Sequence, residues 1–161
     1  MTGPDSLRFA RETDHGAIDA LLRAAFGGPR EAGIMGAMRA AGVVEYEMVM
    51  PWQDGIVAHL ALSRLVAPNG WLVLAPVAVA PDWQRKGLGV RLVAGVLRLC
   101  AIKGQTVAVL GEPAFYAQAG FSAERAAGLT ATHGPSPILL AGPATDVPVA
   151  TLMFPAAFDA A

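Results

Sequence analysis

A β-type segment that runs directly into a glycine-bearing helix start limits this chain more than any other feature. Val77-Ala78-Val79 is apolar and largely β-branched, Ala80-Pro81-Asp82-Trp83 interrupts it, and Gln84-Arg85-Lys86-Gly87-Leu88-Gly89 opens a long amphipathic stretch. The first N–H groups of a helix have no partner inside the helix, so such an opening can bind an anion. Gly87 and Gly89 let a phosphate approach the backbone with no Cβ in the way, and Arg85 and Lys86 add positive charge at the mouth. Glycines at a helix start often serve only tight packing, so the loop carries meaning through what surrounds it.

Upstream, Thr13 and Asp14 are candidate caps for a helix whose stripe is Ile18, Leu21, Leu22 and Ala25, closed by Gly27, Gly28 and Pro29. A second, weaker helix is expected from Arg30 to Ala41, with Ile34, Met35 and Met38 inward. At Val43 the period changes to two, and Val44, Tyr46, Met48 and Met50 alternate with Glu45, Glu47 and Val49. Turns at Asp54-Gly55 and Pro68-Asn69-Gly70 divide this region into three strands, ending in Trp71 to Val79, as an antiparallel meander. Pro76 removes a ladder N–H from the third strand, which predicts a bulge or a splayed edge there. Gly87 to Lys103 reads as the longest helix, with Leu88, Leu92, Val93, Val96, Leu97 and Cys100 on its apolar face. Thr106 to Leu110 then forms a strand parallel to the third, by a right-handed crossover. Pro113 to Ala119 is a short helix, Phe121 opens another strand, and Ala126 to Pro137 reads as a loop. Ile138 to Ala141 and Val149 to Phe154 are expected to finish the sheet, with a turn through Gly142, Pro143 and Asp146 between them.

The chain has 161 residues, 54% hydrophobic and 16% charged. A chain of this size buries about 70% of its unfolded surface, so one domain spanning residues 1–161 is expected. Twelve basic against 13 acidic residues leave a net charge of -1, scattered singly, which argues against a nucleic-acid or acidic-lipid surface. The mean hydropathy of +0.45 raises the question of a membrane span. Prolines at 68, 76, 135, 137 and 143 interrupt the uncharged stretches, and a span needs roughly 20 continuous apolar residues. With Asp5, Arg8, Arg11 and Glu12 near the start, no apolar leader is expected. The lone Cys100 allows no internal disulfide, and a cytoplasmic location is expected.

Two nucleotide motifs are excluded. A P-loop needs Gly-Lys-Ser/Thr, whereas Lys86 precedes the glycines; the third glycine of a dinucleotide fingerprint would fall at Leu92, and the nearest downstream acid is Glu112. A different pattern completes the loop. Gly111-Glu112-Pro113-Ala114-Phe115-Tyr116-Ala117-Gln118-Ala119-Gly120-Phe121 sets a tyrosine four residues before Gly-Phe. The pair resembles the GCN5-related N-acetyltransferase (GNAT) superfamily, and within it the bacterial YhbS-like group. Gly55 to Leu60, Ala75 to Pro81 and Phe154-Pro155-Ala156-Ala157-Phe158 are also similar to that group.

The resemblance implies an α/β (α+β) fold: a mixed, largely antiparallel sheet flanked by helices, with a splayed central strand pair. It implies acetyl-CoA as cosubstrate, its pyrophosphate held by Gln84, Arg85, Lys86, Gly87, Leu88, Gly89 and Val90 and its pantetheine arm along Val77, Ala78 and Val79. Tyr116 matches the family's general acid, which protonates the departing thiolate; on spacing alone, a core or lid tyrosine bonded to backbone is the better account, and it is the loop that turns the reading to catalysis. Phe115 and Ala119 depart from the group's usual aromatic residues. The function implied is direct acyl transfer to an amine of a small molecule or peptide, by a monomer or homodimer; the alternative is a non-catalytic acyl-CoA-binding sensor or regulatory domain. Whether the acyl group is acetyl or longer is left open.

The base that deprotonates the acceptor has no clear sequence signal. Glu45, Glu47, His59 and a bound water are the alternatives, against which stand a solvated carboxylate face and a hydrogen-bonded core histidine. His15, His59 and His133 lack metal-site spacing, so no metal is expected. Ser63 lies in no nucleophile elbow, and Cys100 reads as a small buried hydrophobe.

Overall fold

A computed structural model describes residues 4, 6–133, 136–143 and 149–159. Its strands are β1 (Arg8–Phe9), β2 (Val44–Trp52), β3 (Gly55–Arg64), β4 (Leu72–Val79), β5 (Val107–Leu110), β6 (Leu129–Ala131), β7 (Ile138–Ala141) and β8 (Ala150–Leu152). Its helices are α1 (His15–Phe26), α2 (Arg30–Ala41), α3 (Leu88–Ile102) and α4 (Pro113–Ala119). The main sheet runs β1-β2-β3-β4-β5-β7. All its pairs are antiparallel except β4 with β5. The sheet is the mixed, largely antiparallel one expected.

An apolar core lies on each face. Leu92, Val93 and Val96 of α3 pack on Leu60, Leu62 and Leu72 on one side. Ile18 and Leu22 of α1 and Met35 and Met38 of α2 pack on Val49, Ala61 and Val73 on the other. Each such side chain contributes about 1.5–3 kcal/mol by leaving water. Alternation along β3 and β4 feeds both cores, which is why these central strands read as nearly continuous apolar runs.

Pro76 has the expected effect. In the β3–β4 ladder Leu62 faces Leu74 and Leu60 faces Val77, so Ala75 and Pro76 together oppose Ala61 in a bulge. On its other edge β4 pairs with β5 only at Leu72↔Val107 and Val73↔Ala108. Beyond Val73 the two strands part.

Several local expectations change. The Asp14 carboxylate does not cap α1; it accepts from the Arg8 guanidinium at 2.6 and 2.9 Å and from the Arg11 N–H at 2.7 Å. Those bonds hold its pKa well below the ordinary carboxylate range and tie β1 to the start of α1. Phe121 opens no strand: it is buried, and Ser122 makes one bridge to Leu140. Only β7 of the two late segments joins the main sheet. β8 pairs in parallel with β6, which lies inside the stretch expected to be a loop. Three-residue strands are too short to show a period. The expected turn at Gly142, Pro143 and Asp146, and the opening residues Met1–Gly3 and Asp5, fall partly or wholly outside the described residues.

Glu47 is the largest departure. Its carboxylate lies beneath α2, accepting from Arg39 Nε at 3.0 Å and Nη2 at 2.5 Å, with His59 Nε2 at 2.7 Å. Burial would raise its pKa, but the hydrogen bonds from His59 and Arg39 outweigh that and hold it at about 2. His59 is fully buried and its Nδ1 has no partner among the described residues. Burial therefore lowers its pKa despite Glu47, because a proton on Nδ1 would have no acceptor. The triad bonds α2 to β2 and β3. Removing the charge in Glu47→Gln leaves Arg39 uncompensated and should cost about 3 kcal/mol in chemical denaturation. Both titrations act in the same direction: each group binds protons more readily unfolded. Stability from His59 is full above about pH 6.5, and that from Glu47 above about pH 4.5, each being lost as pH falls further. Melting temperature should thus decline from about pH 7 to about pH 4; a flat profile would contradict the buried triad.

Candidate active site

The gap between β4 and β5 is the centre of the site. Ala80 N–H donates to Val57 C=O at 2.8 Å, so by alternation the backbone groups of Ala78 face β3 and those of Val77 and Val79 face the opened side. The C=O of Val79 already accepts from Gln84 Nε2 at 2.9 Å. Gln84 is therefore a brace that ties the loop to the end of β4, and Ala78 points its backbone into the ladder.

After β4, a 3-10 turn at Pro81–Trp83 leads into the glycine loop. Arg85 and Gly87 take positive φ, 63° and 83°, so the loop coils with successive N–H groups turned to one side. The left-handed backbone explains why position 87 is glycine. From Arg85 to Val90 no backbone N–H finds a hydrogen-bond partner among the described residues. Lys86 lies over the Trp83 ring at 6.0 Å.

A cleft of about 510 Å³ runs from this loop along Val77 and Val79 to Phe115 and Tyr116. Gly89 belongs to its wall for a packing reason: a Cβ there would stand 3.0 Å from the tip of Phe115 and 3.5 Å from Val79. Tyr116 is clamped by edge-to-face contacts with Phe115 and Phe121, centroids 4.9 and 5.8 Å apart. Gly111 forms the other side of that clamp, because a Cβ would fall 2.5 Å from the Tyr116 ring. The Tyr116 hydroxyl makes no hydrogen bond among the described residues, and burial raises its pKa, so it remains a neutral phenol.

A second cleft of about 380 Å³ opens on the α1–α2 side of the same gap. Val77 and Tyr116 line both clefts, so the two meet where the strands part. Its polar side chains include Glu31, in the first turn of α2, and His133. His133 Nε2 lies 3.0 Å from Asp159 Oδ1, and its ring stacks on Phe154 at 4.7 Å. The sequence singled out His133 only to set aside a metal and gave no signal for Glu31, since neither stands in a motif and their elements meet only in the fold. Neither cleft is lined by Glu45, Glu47 or His59. Glu45 binds Arg64 at 2.8 Å, and the other two are spent on the triad. Cys100 is buried in the α3-side core, where burial and the Glu45 charge raise its thiol to about 11. Among the described residues no group of three His, Cys, Asp or Glu is gathered as for a metal, and no helix is long and apolar enough to cross a membrane.

This geometry has clear relatives. The family described as "Acetyltransferase (GNAT) domain" matches residues 40–123, from the end of α2 to the turn after α4. The uncharacterised N-acetyltransferase YhbS of Escherichia coli is 31% identical over 113 residues, 67% of this chain and 68% of that protein. YjhQ from the same organism, also an uncharacterised N-acetyltransferase, is 32% identical over 127 residues, 71% of this chain and 66% of that one. The crystal structure of E. coli YhbS in complex with CoA shares the fold, with a TM-score of 0.89 and 24% identity over 99% of this chain and 94% of that one. A GNAT family acetyltransferase from Brucella melitensis in complex with acetyl-CoA gives 0.81 and 26%, covering 96% and 97%. The matched domain contains the opened strand, the glycine loop and the clamped tyrosine together, and the chain belongs to the GNAT family of N-acetyltransferases.

Proposed function

We propose that this protein moves an acetyl group from acetyl-CoA directly to an amine, as one domain whose sheet carries both cores. The observation that supports this most is the meeting of two clefts at Val77 and Tyr116. One cleft has free N–H groups and the cation Arg85 at its far end, the features that a pyrophosphate requires. The other has groups that suit an amine.

In this reading the N–H groups of Arg85 to Val90 hold the pyrophosphate. The pantetheine amides lie along the opened edge of β4, pairing with Val77 and with the N–H of Val79 as an added strand would. Gln84 keeps the loop in place through Val79, and Ala78 acts through its ladder bonds. The thioester then lies at the junction of the clefts. An amine attacks the carbonyl, the tetrahedral intermediate collapses, and the phenol of Tyr116 donates its proton to the thiolate leaving group. The attacking nitrogen must shed a proton, and Glu31 and His133 are the side chains of the second cleft able to accept one. No acyl-enzyme is needed, in keeping with a Cys100 that is buried in the core and lines neither cleft. A protein that bound acyl-CoA only as a sensor would release no free CoA on addition of an amine.

Tyr116→Phe keeps the ring clamped, so acetyl-CoA affinity should hold while kcat falls by about 10²-fold or more. An unchanged kcat under chemistry-limited conditions would remove Tyr116 from the reaction. Gly89→Val places a branched side chain at the cleft wall and should weaken acetyl-CoA binding in calorimetry by about tenfold or more with helix content preserved. Equal binding would displace the pyrophosphate from the loop. Gly111→Ala pushes on the Tyr116 ring from behind and should lower kcat with little change in acetyl-CoA affinity. The same change made in Tyr116→Phe should cost far less activity, since the acid is already gone.

A further inference from the structure

The second cleft carries information about what enters it. Its walls come from separate parts of the chain: Phe26 at the end of α1, Ile34 of α2, Leu74 and Pro76 of β4, and Phe154 and Phe158 near the end of the chain. Phe154 and Phe158 meet edge to face at 5.0 Å, and the His133 ring lies on Phe154, so these three form an aromatic corner. Such a surface gains free energy by taking apolar area out of water. It offers little to a ligand covered in hydroxyls.

The charges are few. Glu31 is the one carboxylate lining the cleft among the described residues, and its side chain is 25% exposed. Arg30, the neighbouring cation, is 61% exposed and lies 3.6 Å from Glu31. A ligand with several ammonium groups would need a carboxylate for each and would meet Arg30 instead. A ligand with one ammonium finds its partner in Glu31 and apolar walls for the remainder.

Resting on the acetyl-transfer reading above, we propose that the acceptor is a small primary monoamine on a compact aromatic or aliphatic body, seated among Phe26, Phe154 and Phe158, with Glu31 anchoring its ammonium. Polyamines and aminosugars are disfavoured by the same walls, and a lysine-bearing peptide by size, since most of its body stays outside a cleft of about 380 Å³ and covers little of the aromatic corner. In the balanced reaction, the amine nitrogen forms a bond to the acetyl carbon and the C–S bond breaks. One proton leaves the ammonium before attack and a second after it, while the thiolate gains one.

The test uses the purified full chain with acetyl-CoA and three probes: 2-phenylethylamine, spermidine and a lysine-containing peptide. Release of free CoA thiol and acetyl-CoA affinity by calorimetry are both measured. The expected result is a kcat/KM for 2-phenylethylamine at least tenfold above either other probe. Glu31→Gln should raise its KM about tenfold with acetyl-CoA affinity unchanged, and Phe154→Ala should erode the preference over spermidine. Equal or better use of spermidine or peptide overturns the proposal, as does binding of acetyl-CoA with no probe acetylated, which leaves the donor site standing. Failure to bind acetyl-CoA would overturn the donor reading itself.

Discussion

The parting of β4 from β5 is the constraint on which the rest depends. Two parallel strands that begin paired at Leu72↔Val107 would ordinarily continue, since each lost ladder bond leaves an unsatisfied backbone group. Here the Ala75–Pro76 bulge re-aims the second half of β4 while β5 stays paired with β7 along Val107 to Leu110. The backbone groups of Val77 and Val79 thus face an open space, one group already used by Gln84. Both clefts exist because this space is open to both faces of the sheet.

Support for the gap comes from the two layers. On one face α3 is buried along Leu88, Leu92, Val93 and Val96, which directs its first turn at the end of β4. On the other face α2 carries Glu31 and Ile34 into the second cleft while Arg39, further along the helix, is bonded to Glu47. The buried ionic triad, through Arg39, and the second cleft, through Glu31, therefore share one helix. A change at the triad would reach the cleft by shifting α2 and not by contact with substrate.

Close packing at glycines sharpens the geometry. Gly111 and Gly89 both lie where a Cβ would meet an aromatic ring, Tyr116 in one case and Phe115 in the other. These neighbouring rings of α4 are pressed against backbone on two sides, and that fixes where the Tyr116 hydroxyl points. At Gly89 the structure thus shows a packing reason for glycine.

Much of this was readable along the chain wherever the physics is local. Helical periods, the change to a period of two at Val43, the limits of α2 and α4, and the glycine loop ahead of α3 depend on residues within a turn or two of one another, and they came out as expected. Long-range pairing left no such trace. Glu47 shares its alternation with Glu45, yet one is buried under Arg39 and the other faces Arg64 at the surface, because only the docking of α2 distinguishes them. Glu31 and His133 are about a hundred positions apart and Gly111 needs Tyr116 folded back upon it, so spacing carried no signal for any of them. Sequence alone determined the helices, the strands of the meander and the glycine loop with its orphan N–H groups, through backbone propensities. Tertiary structure decided which polar groups face a cleft and which are buried as structural ties, because that choice is made by partners from distant parts of the chain.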